Sequence, residues 1–314
     1  MRNAGGASSG VWPEVIGIGS TVYDTLMVTD GFPVEDTKME GLETKVQGGG
    51  PCATALVAAA KLGVSAAYMG AVGEDPFGRF MTDDLERWGV TTRYVRRVPD
   101  TVSFHAVVLL NRRNASRTIV WSRGTVPPPA PEELDMEALA HARVLHLDGH
   151  MLEAAVHAAR FCRAAGVKVS HDAGGVYPGI ERLLPYVDYL IPSEEFALKL
   201  TGASTPEAAA RSLMETYHPE LVVLTQGARG GILLDEQGMR RYDSYPVDVK
   251  DSNGSGDTFH GAFVAARIKG LDAQNACRYA SAAAAIKCTR LGARFAMPHD
   301  AECRAFLKER GVQL

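Results

Sequence analysis

The chain has 314 residues, with 33 lysines and arginines against 37 aspartates and glutamates, a formal net charge of −4. Apolar residues make up 46% and charged residues 22%, which excludes wholesale disorder and leaves room for one large α/β core or two small ones. The mildly acidic balance, without basic clusters, argues against nucleic acid or a membrane as the main partner, and the richest apolar stretches are too short to span a bilayer.

Residues 1–11 lack the apolar core of a signal peptide and read as a flexible tail. A first strand, Val15–Gly19, enters a β-like stretch that runs to Thr29, and Pro33 then marks a turn. Thr44–Gln47 leads through a glycine triplet into an Ala-rich helix, Ala53–Leu62, stopped by Gly63. Ala66–Val72 reads as a strand, and Asp75 caps a helix that begins with Pro76 and ends near Trp88. Phe104–Leu110 and Thr118–Trp121 form a hairpin pattern around NRRNASR. After the proline-rich TVPPPAPEE, strands and helices alternate. Val144–Asp148 is followed by helix Glu153–Ala165 and strand Val167–His171, and Tyr189–Ile191 by helix Glu194–Leu200. Leu221–Thr225 is a strand, and Gly231–Leu234 with Arg240–Pro246 reads as a late hairpin. Helices near Asp257–Lys269, Ala273–Thr289 and His299–Arg310 complete the pattern. Repeated β-α-β spacing predicts a parallel sheet with helices on both faces. The excursions at 21–46 and 101–124 do not fit that alternation and predict a second, smaller sheet.

Chemistry concentrates in four segments. In DSNGSGDTFHGAF, Gly254 and Gly256 permit a tight turn directly before a helix, whose unpaired N–H groups and dipole make an anion site. Asp257 at that helix start reads either as a capping residue or as a carboxylate that accepts a proton from a hydroxyl attacking phosphorus. VQGGGPCATALVAAAKLG offers bare backbone to a ligand, or else a flexible loop before a packed helix. GAVGEDPFG is mainly structural, and TQGARGG closes a strand at the end where open α/β sheets hold ligands. Gly17-x-Gly19 lacks the third glycine and the helix of a dinucleotide site, and no GxxxxGK[ST] or GxSxG occurs. His105, His146, His150 and His171 show no metal spacing and read as packed or hydrogen-bonded histidines. Five cysteines without a CxxC pair fit a reducing cytoplasm better than a disulfide or zinc scaffold.

Taken in order, these segments resemble the ribokinase (PfkB) family of sugar kinases. DSNGSGD is similar to the family's DTxGAGD, TQGARG to its TxGxxG, and the glycine triplet with its Ala-rich helix to a third motif. GGGPxATA, FHGA and IKCTR look closest to the sulfofructose-kinase branch. The resemblance implies a three-layer α/β/α domain over residues 12–314, with a β lid built from about 21–46 and 101–124. It implies ATP and Mg²⁺ as cofactors and transfer of the γ-phosphoryl group to a primary hydroxyl of a sugar, which Ala53 in place of the family's Asn points to as a ketose or related sugar. The Phe104–Leu110 run, apolar on successive positions, needs cover on both faces and predicts a homodimer through the lids. A nucleoside kinase, kept open by Phe104 and Trp121, and a non-catalytic sugar or nucleotide sensor are the other readings.

Roles follow by position in the family pattern. Asp257 would be the base, and the amides of Gly254, Ser255 and Gly256 the anion hole. Asp24 and the backbone of Gly48 and Gly49 would hold sugar hydroxyls, with Asp148 a further contact. Outside the family pattern, Arg123 closes the second lid strand and, with Arg112, Arg113 and Lys38 elsewhere in the lid segments, is a candidate for a distal anionic group. Thr225, Gly227 and Gly230 would meet the nucleotide phosphates and Ser281 the adenine. A monovalent cation, K⁺, held largely by carbonyls in many members, would fall at Asp251, Asn253, Lys287, Arg290, Gly292 and Ala296. Two departures stand out. The sugar-binding Asn is Ala53, and the magnesium-linked NxxE reads Ser193-Glu194-Glu195-Phe196, which leaves Glu194 as the nearest acid.

Overall fold

The structure, a computed structural model, describes residues 12–114 and 116–314; the segment expected to be a tail lies outside the described residues. The strands are β1 (Val15–Ile18), β2 (Val22–Thr29), β3 (Glu43–Gly49), β4 (Ala66–Gly73), β5 (Val90–Val98), β6 (His105–Asn111), β7 (Arg117–Ser122), β8 (Val144–Leu147), β9 (Lys168–Ala173), β10 (Tyr189–Pro192), β11 (Leu221–Thr225), β12 (Gly231–Asp235) and β13 (Gly238–Tyr242). The helices are α1 (Pro51–Lys61), α2 (Pro76–Arg87), α3 (Met136–His141), α4 (Leu152–Ala164), α5 (Glu194–Thr201), α6 (Pro206–Tyr217), α7 (Ser255–Ile268), α8 (Ala273–Cys288) and α9 (Asp300–Glu309).

The main sheet runs β13-β12-β11-β10-β9-β8-β1-β4-β5. All strands from β11 to β5 are parallel, and the late hairpin β12–β13 adds antiparallel at one edge. The inner strands are apolar on successive residues because both faces are covered. Val15, Ile191 and Val223 enter a core with α1, α2, α7, α8 and α9. Their neighbours Ile16, Leu190 and Val222 enter the opposite core with α3, α4, α5 and α6. This is the three-layer α/β/α architecture expected.

Two excursions from the main alternation build a four-stranded sheet, β3-β2-β6-β7, with β2 and β6 parallel and the outer pairs antiparallel. Period-two alternation gives it two faces. Asp24, Ala106, Val108, Arg117, Ile119 and Trp121 turn toward the carboxyl ends of the main strands and line a cavity there. Val107 and Val120, paired across β6 and β7, occupy the other face and are exposed.

Three elements lack a counterpart in the pattern reading. β5, VTTRYVRRV, is an edge strand exposed at alternate positions, so it carries charge where inner strands are apolar. α3 is short and carries an Asp135 cap. α6 opens with Thr205 capping Ala208 and Pro206 in its first turn, as Asp75 and Pro76 open α2. The late hairpin ends at Tyr242 rather than Pro246.

α1 and α7 approach closely because Gly261 has no side chain; a Cβ there would strike the Ala55 carbonyl. In an exposed helix Gly→Ala stabilises by roughly 0.5–1 kcal/mol. Gly261→Ala is expected to do the reverse and cost about 1–3 kcal/mol through overpacking. Urea unfolding checks the sign: a raised midpoint would show that the helices part without cost.

Candidate active site

Gly254 takes φ 75°, a left-handed turn that aims the first turn of α7 at the carboxyl ends of the main strands. The Ser255 amide bonds back to the Ser252 carbonyl (3.2 Å), while the amides of Gly256 and Asp257 have no partner within the helix. Asp257 faces a cavity of about 590 Å³ whose wall also carries Asp24, Asp148, Asp172 and Arg117. Burial pushes the Asp257 carboxyl up to about 6, and the Asp148 charge adds to that, while Arg294 and Arg117 oppose it. Burial likewise pushes Asp24 up to about 7 against the pull of Arg294.

Gly48 and Gly49 end β3 beside these groups. A Cβ on Gly49 would collide with the Asp24 carboxylate, and one on Gly48 with Arg294 and Asp84. The glycines therefore make room for two buried charges. Arg294, 1% exposed, pairs with Asp84 (2.6 Å) and donates to the Gly49 carbonyl (2.8 Å). Arg294 was not among the residues singled out in the sequence, since its partners lie far along the chain.

Asp148 follows β8 directly and is engaged on both oxygens. Oδ2 accepts from the Ser20 amide (2.8 Å), the Ser20 hydroxyl (2.6 Å) and the Cys52 amide (3.2 Å), and Oδ1 accepts from the His150 amide (3.0 Å). It reaches the cavity wall, yet it also ties the ends of β1 and β8 to the start of α1. Below it, His260 Nε2 lies 3.2 Å from Asp172 Oδ1, with His146 and His171 buried nearby. Burial raises Asp172 well above the usual carboxylate range and lowers all three histidines. Asp172 and His260 were also missed. Ala53 is wholly buried in α1.

Thr225, Gly227, Gly230 and Ser281 meet in a second cavity of about 600 Å³ with Tyr245, Val249 and Ala284. Thr225, Ser252, Ser255 and Gly256 border both cavities. Ser193 caps α5 by accepting from the Phe196 amide (3.1 Å), and Glu194 is engaged by Arg229. Among the described residues, no three or more His, Cys, Asp or Glu side chains converge as a metal cage. Of the expected monovalent-cation positions, Asp251, Asn253, Lys287 and Gly292 converge beside the α7 loop. The Arg290 side chain pairs with Glu302 (2.6 Å), and Ala296 is buried.

Arg123 lies outside the Asp257 cavity, in a neighbouring space of about 280 Å³, 3.3 Å from His150. Arg112 and Arg113 pair with Asp30 on the exposed sheet edge, and Lys38 is exposed. Arg117 is the arginine that faces Asp257, because it shares the face of Ile119 and Trp121 two and four residues on.

Sequence and structure comparisons agree with this layout. The model of the pfkB family of carbohydrate kinases matches residues 13–300. A deoxyribokinase of Salmonella typhi is 29% identical over 94% of this chain and 98% of that protein. A ribokinase of Lactococcus lactis is 27% identical over 95% of this chain and 98% of that protein. The Arabidopsis thaliana ribokinase complexed with ribose and ATP superposes with a TM-score of 0.84 at 26% identity, covering 95% of this chain and 99% of that one. A two-cavity α/β/α molecule with a small second sheet thus falls in a known class of phosphotransferases. The chain belongs to the pfkB family of carbohydrate kinases, as the ribokinase-like motifs implied.

Arg294 links the glycine pair to both raised carboxyls. Arg294→Met leaves Asp84 buried without its cation, which is expected to cost about 3–5 kcal/mol. Asp84→Leu in the same chain should recover most of that loss. Denaturant unfolding of the single and double variants measures it; an additive double variant would deny the coupling.

Proposed function

We propose that this kinase transfers the γ-phosphoryl group of ATP to a primary hydroxyl of a ketose or related sugar, with Asp257 as the base. The observation that carries the reading is the border between the two cavities. Ser255 and Gly256 line both, and Asp257, the next residue, opens only to the first. A nucleotide in the second cavity would present its terminal phosphate to the α7 amides. A hydroxyl in the first would lie against the Asp257 carboxylate.

Asp257 accepts the hydroxyl proton as the oxygen attacks in line. The amides of Gly254 and Gly256 and the Arg117 guanidinium offset charge that spreads over the phosphoryl oxygens, while the Ser255 amide, tied to the Ser252 carbonyl, fixes the turn. Asp24 and the backbone at Gly48 and Gly49 orient the other hydroxyls, and the small sheet acts as a lid that excludes water. The residues near Glu194 do not form a pocket for Mg²⁺, since Arg229 engages that carboxylate and Ser193 caps its helix. A magnesium ion that accompanies ATP would take its oxygens from the phosphates and water. No protein step is assigned to it.

With Ala53 buried and a wall rich in carboxylates, the acceptor is a neutral polyol rather than an anion. The sulfofructose branch rests on GGGPxATA, FHGA and IKCTR alone. Phe104 and Trp121, with ring centres 5.7 Å apart at 53°, support a nucleoside acceptor as the second reading. The free cysteines fit a cytoplasmic setting. No described helix is long and apolar enough to cross a membrane. The exposed row of Val46, Val107 and Val120 on the outer sheet face supports a homodimer through the lids.

Asp257→Asn is expected to lower kcat by about 10²–10⁴-fold and to leave ATP affinity unchanged. A value within about threefold of wild type would remove Asp257 from the role. Because the base must be ionised and its carboxyl titrates at about 6, wild-type kcat/KM should fall as pH drops through 6. A profile flat down to pH 4.5 would oppose that assignment.

The acceptor reading is tested by kcat/KM for fructose, sulfofructose, a fructose monophosphate and a purine nucleoside. Arg117→Ala should lower kcat for every acceptor by about 10²-fold, as loss of one transition-state donor does. Arg123→Ala should leave fructose unaffected. A selective loss on the anionic sugars with Arg123→Ala would instead make Arg123 an anion fork, and preference for the nucleoside would favour the second reading. Light scattering should give twice the mass of one chain at micromolar concentration; one chain's mass would refute the dimer.

A further inference from the structure

The loop that carries the anion-binding amides is fastened from behind by one residue. Asp251 Oδ1 accepts from the Asn253 amide (2.8 Å) and Oδ2 from the Gly292 amide (2.9 Å). Its own amide donates to the Cys288 carbonyl at the end of α8 (3.2 Å). Its carbonyl oxygen accepts from Lys287 Nζ at 2.6 Å, and the same ammonium stands 3.6 Å from Asp251 Oδ2. The Lys287 side chain is 0% exposed. A lysine is almost never buried completely unless its charge is paired.

These are the residues at which the family resemblance places a monovalent cation held by carbonyls. They do not fit that ion here. The Asp251 carbonyl is already occupied by a positive donor, and the Asp251 carboxylate already has its counter-charge. An ammonium group and a potassium ion carry the same charge and have similar size, so one replaces the other without changing the electrostatics of the loop.

We propose that Lys287 is a tethered substitute for the monovalent cation, which holds the 251–256 loop in its anion-binding form and makes this kinase independent of K⁺. Lys287 acts on the reaction through Asp251 and the α7 amides, and is a positioning residue. The α7 segment gains a permanent internal charge in place of an exchangeable one.

The inference builds on the kinase reading of the loop, so the first readout needs no acceptor. Thermal unfolding of the full chain is compared in tetramethylammonium chloride, KCl and NH₄Cl at equal ionic strength. The wild-type midpoint is expected to be the same in all three within about 1 °C, and calorimetric titration with rubidium to show no site. Lys287→Ala should unfold roughly 5 °C lower in tetramethylammonium, as removal of one partner of a buried pair predicts. It should regain most of that loss, saturably, in KCl or NH₄Cl, where a free cation fills the vacated place.

Turnover gives the second readout. Wild-type kcat should not change with the salt, while that of Lys287→Ala should fall at least tenfold in tetramethylammonium and return with K⁺ or NH₄⁺. A wild type that binds rubidium, or whose kcat rises more than threefold in KCl, overturns the proposal. So does a folded Lys287→Ala that no cation rescues, or one as stable and active as wild type in tetramethylammonium. Should Lys287→Ala fail to fold in every salt, the wild-type titration decides alone. If the unfolding results hold but no sugar is phosphorylated, the acceptor reading fails and the role of Lys287 stands.

Discussion

A buried carboxylate at the point where the strand order reverses underlies the rest of the molecule. β1 lies between β4 and β8, so the chain segments leaving these strands diverge to opposite faces. Backbone donors there lose their sheet partners and would be buried unpaired, a cost that falls on the whole fold. Asp148 accepts from two of those amides, from a hydroxyl and from the amide of Cys52 in α1. With Ser20 held, the chain must leave toward β2 and the small sheet; with Cys52 held, α1 must begin at the glycine triplet. The same charge then acts on chemistry, because it helps raise the Asp257 carboxyl. One residue thus couples topology to the poise of the candidate base.

That poise results from opposition. Burial pushes the Asp24 and Asp257 carboxyls up. Arg294 draws both back, from a position where it is itself neutralised by Asp84. Arg117 adds a second pull on Asp257 from the small sheet. The outcome, near 6 for Asp257, lets a carboxylate be charged at neutral pH and still hold a proton better than an exposed aspartate.

Legibility followed locality. The parallel strands were readable because strands covered on both faces must be apolar at successive positions, and the α7 turn because glycines before a helix have few other uses. Thr225, Gly227, Gly230 and Ser281 fell into one cavity because the family pattern already encodes that long-range arrangement. Arg294 escaped notice because a buried cation looks like any surface arginine until its partner, 210 residues away, is known. Arg117 was not singled out because its facing depends on strand register. Within β7 the period-two rule sends Arg117 inward with Ile119 and Trp121, whereas Arg123 lies one residue past the strand and follows the turn. β5 was hidden by its edge position, which selects charge over apolar pattern.

The two walls of the candidate site are built to different standards of rigidity. The α7 loop is held by hydrogen bonds to Asp251 on both carboxylate oxygens, and α7 itself packs on α1 through a contact that admits no Cβ at Gly261. Its donors are therefore in place before any anion arrives, which is the condition under which fixed dipoles help most, because no reorganisation is needed at the moment of charge development. The facing wall is a four-stranded sheet whose β7 is exposed at every residue and whose outer valines are uncovered among the described residues. Few buried contacts oppose its local displacement, and elements that open for ligands come from that low-stability end. On the proposed reading, a rigid anion loop paired with a lightly anchored sheet separates two demands that one wall could not meet together, fixed electrostatics and ligand entry.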